Sequence, residues 1–140
     1  MTILDTNVVS ELMRPDPSPS VVDWMAAQGA STLFPSTVSE AELLYGVEFL
    51  PLKARRDSLL EEVEGMLRED FDGRILPFDS AAARTYAVIA AARRAAGRPI
   101  NHADCQIAAI SRCHGASVAT RDVDGFAGSG IELINPWTIG

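Results

Sequence analysis

Ile3-Leu4-Asp5-Thr6-Asn7 and, far along the chain, Ser117-Val118-Ala119-Thr120-Arg121-Asp122 share one plan. Each is a short apolar run that ends in polar residues carrying an aspartate. Runs of this length, bounded by turn-forming residues, read as buried strands. Between them the sequence switches to helical spacing. Helices are expected over 8–13, stopped by Arg14-Pro15-Asp16-Pro17, then over 20–28, 39–50, 52–67 and 80–96, with a last one from an Asn101 cap to about residue 114. Further strands are expected over 32–34, 74–78 and 131–134, which with the two quoted runs makes five. Strands alternating with helices indicate an α/β domain with a short, mostly parallel central sheet flanked by helices on both faces. The 140 residues form one domain, 1–140, with no repeat, linker or low-complexity segment.

Hydrophobic residues make up 47% of the chain and charged residues 22%, the balance of a folded protein rather than a disordered one. Asp5 interrupts any apolar leader, and no run approaches the length of a membrane span, so a cytoplasmic protein without membrane contact is expected. Cys105 and Cys113 lie in one expected helix, too far apart to bridge and in no zinc or redox spacing, and both are expected as buried thiols. The formal charge of -7 argues against holding nucleic acid by bulk positive charge. It does not exclude a local patch, because eleven of the twelve bases are arginines, which grip phosphate bidentately. Arg84, Arg93, Arg94 and Arg121 are candidates for such contacts.

The chemistry lies in the acids. In open α/β sheets, functional groups gather beyond the carboxyl ends of the strands. Asp5 and Asp122 follow expected strands. Asp104 lies in the first turn of its helix on the stripe of Ile107, Ala108 and Ser111, and Glu42 shares a stripe with Tyr45, Gly46 and Phe49, so both are expected to face inward. Each acid also has a local reading, as a turn or helix-cap carboxylate. If the four converge, each close pair repels by up to about 4 kcal/mol at an effective dielectric near 20, and the cluster requires a cation or bound protons. Carboxylates without His or Cys partners favour a hard ion, Mg²⁺ or Mn²⁺, which can polarise a phosphoryl oxygen and present a water as nucleophile. That is the chemistry of phosphodiester hydrolysis.

Taken in order, the motifs Ile3-Leu-Asp-Thr-Asn-Val-Val-Ser-Glu11, Ala41-Glu-Leu-Leu-Tyr-Gly-Val47, Gly73-Arg-Ile-Leu-Pro-Phe-Asp79, Ala103-Asp-Cys-Gln-Ile-Ala-Ala109, Val118-Ala-Thr-Arg-Asp122 and Asn135-Pro-Trp137 span the chain. In this order and spacing the chain resembles the PIN-domain nucleases, and among them the VapC-like toxins of the FitB type from bacterial toxin–antitoxin pairs. The resemblance implies an endoribonuclease that cuts RNA with Mg²⁺ or Mn²⁺ held by Asp5, Asp104 and Asp122, with Glu42 acting through water. It implies that Asn7 and Thr120 orient the carboxylates and that Asp124 is accessory. It further implies a homodimer, neutralised in a hetero-oligomer by a small DNA-binding antitoxin whose C-terminal segment crosses the groove and inserts an arginine. His102 is not a usual position of that family, and it reads as an exposed residue at a helix start; His114 reads as a cation at a helix C-terminus.

Other classes fit less well. A haloacid-dehalogenase-like phosphohydrolase needs a second aspartate where this chain has Asn7, and both it and a phospho-acceptor domain need a catalytic lysine. The sole lysine, Lys53, lies on an expected helix. The remaining alternative is a non-catalytic dimeric binding module whose acidic groove anchors a basic partner peptide.

Overall fold

The structure, a computed structural model, describes residues 1–138. Its centre is a four-stranded sheet in the order β2-β1-β3-β4, formed by β1 (Thr2–Leu4), β2 (Leu33–Phe34), β3 (Ser117–Ala119) and β4 (Leu133–Ile134). All three pairings are parallel, with Ile3 opposite both Phe34 and Val118. Alternation along each strand divides the core. Ile3 and Val118 pack with Ala82, Ile89, Ile107 and Ile110 of α5 (Ser80–Ala95) and α6 (His102–His114). Their neighbours Leu4 and Ala119 face the other way, onto Val8 and Val9 of α1 (Thr6–Leu12) and Val21 and Trp24 of α2 (Pro19–Ala27). The expected helices on both faces are therefore present. A third apolar cluster joins Val47 of α3 (Thr37–Glu48) to Val63 of α4 (Lys53–Gly65) and Leu67, giving the helical hairpin its own small core.

Three boundaries differ from expectation. The strand expected over 74–78 is one parallel bridge, Ser36 to Leu76, held by the Leu76 N–H on Pro35 O and the Thr37 N–H on Leu76 O. Pro77 has no N–H to extend the ladder, and Arg74 is drawn aside, donating to Leu33 O and Asp70 O. The helix expected to 67 changes at Gly65 into a wider turn over Met66–Asp70. A one-turn helix that the pattern did not reveal, α7 (Val123–Phe126), follows β3 directly. Cys105 is buried but Cys113 is exposed and beside the Thr85 hydroxyl, so only one of the two expected buried thiols is buried. None of the described helices is long and apolar enough to cross a membrane.

Candidate active site

β1 is the pivot of the sheet. The chain leaves it towards β2 on one side, while β3 closes on the other, so the loops after β1 and β3 splay apart and open a crevice at their carboxyl ends. Asp5 and Asp122 stand at those ends. Asp5 is 5% exposed and does not sit in a turn: it caps α1, accepting the Thr6 N–H through Oδ1 at 2.8 Å. Its other oxygen accepts the Thr120 hydroxyl at 2.7 Å. Thr120 Oγ1 in turn accepts the Asp122 N–H at 3.0 Å, so one buried hydroxyl ties the two strand-end aspartates. Asn7 accepts the Arg121 N–H through Oδ1 at 3.4 Å and joins the same two loops from the α1 side.

Asp122 caps α7, accepting the Gly125 N–H at 3.1 Å. A Cβ at Gly125 would stand 2.3 Å from Asp122 Oδ2, so only glycine leaves room for this carboxylate. Arg93 holds the same turn from beneath. It is 7% exposed and donates to the carbonyls of Gly125, Ala127 and Arg98. The sequence reading placed it among the phosphate-contact candidates, but its guanidinium is enclosed, where a charge persists only if its donors are satisfied. Arg121 remains exposed, its guanidinium 5.0 Å over the Trp137 ring.

Asp104 enters from the first turn of α6. Its Oδ2 accepts from Asn101 Nδ2 at 2.9 Å while Asn101 Oδ1 accepts the Asp104 N–H at 2.8 Å, a reciprocal cap. Glu42 arrives differently from expectation. The stripe it shares with Tyr45 and Phe49 faces outward, those two rings being 66% and 69% exposed and packed edge to face, because α3 buries Val38, Ser39 and Val47 instead. The Glu42 carboxylate is nevertheless brought in by the Thr6 hydroxyl, which donates to Oε1 at 2.7 Å. Since that spends the Thr6 proton, the buried Ser39 hydroxyl, 2.9 Å away, donates to Thr6. Asp124 is exposed and does not reach this crevice.

Asp5, Glu42, Asp104 and Asp122 thus line one open cavity of about 510 Å³, together with Thr6, Asn7, Ser10, Glu11, Arg14 and Asn101. Their charges are felt. Burial, then the negative charge of Asp5, lifts the Asp104 carboxyl to about 6, against the pull of Asn101, with Asp122 and Glu42 adding smaller pushes. Burial also raises Asp5, although the Thr120 hydroxyl and the Thr6 N–H lower it; Glu42 and Asp122 push it up further. Among the described residues, no three acids stand close enough together to grip an ion as they are. A second cavity, between α1, α2 and the turn over Met66–Asp70, is lined largely by Leu12, Met25, Leu33, Met66 and Phe71 and lacks such a convergence of acids.

Sequence reasoning missed Thr6, Ser39, Glu11 and Arg14. The sole ion pair among the described residues joins Arg14 to Glu11, a carboxylate only 5% exposed. His102 lies outside the cavity; its ring stacks on Tyr86 and its Nδ1 shares a hydrogen bond with the Tyr86 hydroxyl.

Residues 2–128 match the family profile of the PIN domain. The chain belongs to the PIN-domain family. Over 137 residues, 98% of this chain, it is 44% identical to the plasmid stability protein StbB of Pseudomonas syringae pv. tomato, covering 99% of that protein. Over the same share it is 42% identical to the VapC ribonuclease Y4jK of Sinorhizobium fredii, covering 98% of it. It is 39% identical to the toxin FitB of Neisseria gonorrhoeae, covering 99%. Among solved structures, FitAcB from Neisseria gonorrhoeae superposes with a TM-score of 0.91 at 38% identity, covering 99% of each chain. FitAB bound to an IR36 DNA fragment does so at 0.92 and 37% identity, covering 100% of this chain and 98% of that one. This PIN domain is therefore of the VapC-like, FitB type; Asp5 and Asp122 stand at its strand ends, and Asp104 and Glu42 come from its helices.

Proposed function

We propose that this PIN domain is a metal-dependent endoribonuclease, the toxin of a type II toxin–antitoxin pair, acting through Asp5, Asp104 and Asp122 with Glu42. The observation that carries the reading is an acidic cavity in which, among the described residues, no basic side chain pairs with the four acids. Arg14, the single arginine among the described residues that line it, is bound to Glu11. The likeness to a VapC ribonuclease and to a toxin supports the choice of substrate.

The donors suit a hard divalent cation in kind and in charge. All are oxygens, and the Asp104 carboxyl, raised first by burial, is pushed up further by the charges of Asp5, Asp122 and Glu42. Asp5, Asp104 and Asp122 would hold Mg²⁺ or Mn²⁺, which when bound supplies a polarised phosphoryl oxygen and an acidified water. The chain's own residues do the rest. Thr120 fixes the Asp5 carboxylate and the Asp122 backbone in one register. Asn101 aims Asp104, and Thr6 holds Glu42 at the cavity edge, where a carboxylate can take a proton from a water on the substrate side.

Incubating the isolated protein with total cellular RNA and Mg²⁺ or Mn²⁺, then mapping new 5′ and 3′ ends, tests this. Discrete ends that vanish with EDTA and with Asp5→Asn are expected; intact RNA under all conditions would refute the nuclease. The partner is a small DNA-binding antitoxin, as the likeness to FitAB on DNA suggests, and one of its arginines enters the acidic cavity. Replacing that arginine with alanine should weaken inhibition more than replacing basic residues elsewhere. Tight partner binding by a chain that never cleaves would favour the binding-module alternative.

A further inference from the structure

The cavity of the four acids has a second end that they do not account for. Asn7, Ser10, Glu11 and Arg14 all line it: the first three share one face of α1, and Arg14 follows in the bend after the C-cap Met13, its N–H on Glu11 O at 3.2 Å. Arg14 therefore stands at the far end of this wall, seven residues along the chain from Asn7.

Glu11 is the more unusual partner of the pair. Its carboxylate is 5% exposed within a wall already rich in negative charge, and it accepts from Arg14 Nη1 at 3.3 and 3.2 Å and from the Ser18 N–H at 3.3 Å. A buried acid of this kind requires its cation. The cation is not spent, however. Arg14 is 64% exposed, and every hydrogen bond it makes from its side chain among the described residues runs through Nη1. The opposite edge, Nε and Nη2, is the parallel pair of donors that grips a phosphate with two bonds. Glu11 thus holds one edge of the guanidinium and fixes the direction of the other.

We propose that Arg14 is a substrate-binding residue that takes a phosphate of the RNA strand, and that Glu11 is the positioning residue that aims it. The inference rests on the ribonuclease reading and deepens it. It assigns the strand a path along α1, from the acids at Asp5 towards Pro15. The gripped phosphate is therefore displaced from the bond that is cut, along the strand towards Pro15.

The test uses RNA oligonucleotides that the wild type cuts, trimmed one nucleotide at a time from each end, with Arg14→Ala, Arg14→Lys and Glu11→Gln. On the full-length substrate, Arg14→Ala should raise KM about tenfold and leave kcat within about twofold, the scale of one charge-assisted contact. The slope of log affinity against log salt should fall by about 0.7, one single-strand phosphate contact. Arg14→Lys should restore the slope but only part of KM, because a point charge lacks the fork. Glu11→Gln should raise KM by a smaller factor with the slope kept. On the oligonucleotide trimmed past the gripped phosphate, Arg14→Ala should match the wild type, which also shows that the variant is folded. Wild-type KM and salt slope in Arg14→Ala would overturn the inference alone, including the case in which that variant weakens only the binding of a protein partner. A wild type that neither cuts nor retains RNA would overturn the ribonuclease reading, and this inference with it.

Discussion

Replacing Asp104 by asparagine should make the metal-free protein more stable. The Asp104 carboxyl is lifted from 3.8 to about 6, chiefly by burial and by the charge of Asp5. A folded-state value above the unfolded one means that the fold binds the proton more tightly than the open chain does. The penalty is therefore absent below about pH 4, grows as pH rises through the folded value, and is complete above about pH 7. At about 1.36 kcal/mol per tenfold in proton affinity the ceiling is about 3 kcal/mol. Asp104 is only partly buried, and water at its open side reduces this to about 1 kcal/mol. The isosteric amide keeps an oxygen to accept from Asn101, so the α6 cap survives the exchange.

The assay is a pair of thermal melts in EDTA at fixed protein concentration, repeated from pH 4 to pH 8. Asp104→Asn should melt about 3 °C above wild type at pH 7.5, and the two curves should converge towards pH 4. With Mg²⁺ or Mn²⁺ at a hundred times its dissociation constant, wild type should gain about 2.7 kcal/mol and Asp104→Asn far less. An apo variant less stable than wild type by a margin that does not change with pH, together with a wild type indifferent to divalent ions, would refute the reasoning. Asp104 would then be a helix-cap carboxylate and nothing more.

Gly125→Ala should fold, since its backbone is not in the left-handed region, yet lose RNA cleavage by tenfold or more, because the new methyl displaces the Asp122 carboxylate; undiminished cleavage would remove Asp122 from the site. Thr6→Val deprives Glu42 and the buried Ser39 hydroxyl of their partner and should cost about 1 to 3 kcal/mol in denaturant melts as well as activity, whereas Thr6→Ser should restore both. Arg93→Ala leaves the carbonyls of Gly125 and Ala127 without their donor, and should lower stability by about 2 kcal/mol and speed amide exchange over 123–128; an unchanged exchange pattern there would show that the α7 turn stands without it.

What the sequence disclosed, and what it hid, follows from the range of each interaction. Asp5 and Asp122 were legible because the signal is local: a short apolar run followed by an acid marks a strand end, and parallel strands put such ends together, whereas Thr120 entered only through the family resemblance. The α6 cap was legible for the same reason, with Asn101 three residues before Asp104. Glu42 does line the cavity, but not for the reason its stripe offered. Its apolar stripe is the exposed one, and what brings it in is the Thr6 hydroxyl from another element, which no periodicity in α3 encodes. Glu11 followed three residues later by Arg14 looks like any surface pair on a helix, and only the folded chain shows the acid buried. Arg93, in an alanine-rich helix, read as a candidate phosphate contact, and only the folded chain shows its guanidinium taken up by the carbonyls of the α7 turn. The α7 helix itself is one turn long, too short for any periodicity, and its one local sign was Gly125 three residues after Asp122.

Three of the acids serve a helix cap while all four line one cavity, and the two facts together shape the site. Asp5 caps α1, Asp122 caps α7 and Asp104 closes the cap of α6, so the positive ends of three helices point at the same crevice. The fold thereby offers the carboxylates partial positive charge without placing a cation among them. That help is limited. Each helix end is worth about 0.3 to 1 kcal/mol, and a close pair of carboxylates repels by up to about 4 kcal/mol at an effective dielectric near 20, so three helix ends cannot offset a cluster of four acids. At Asp104 burial comes first and the charge of Asp5 adds to it, and together they lift the carboxyl to about 6 even with Asn101 bonded to it. An arginine built into the cavity wall would have removed the strain, but it would also have occupied the place of the ion. Arg14, the one arginine among the described residues on that wall, is instead paired with Glu11 and bonds to none of the four acids, which leaves their charge to the proposed divalent cation or partner arginine.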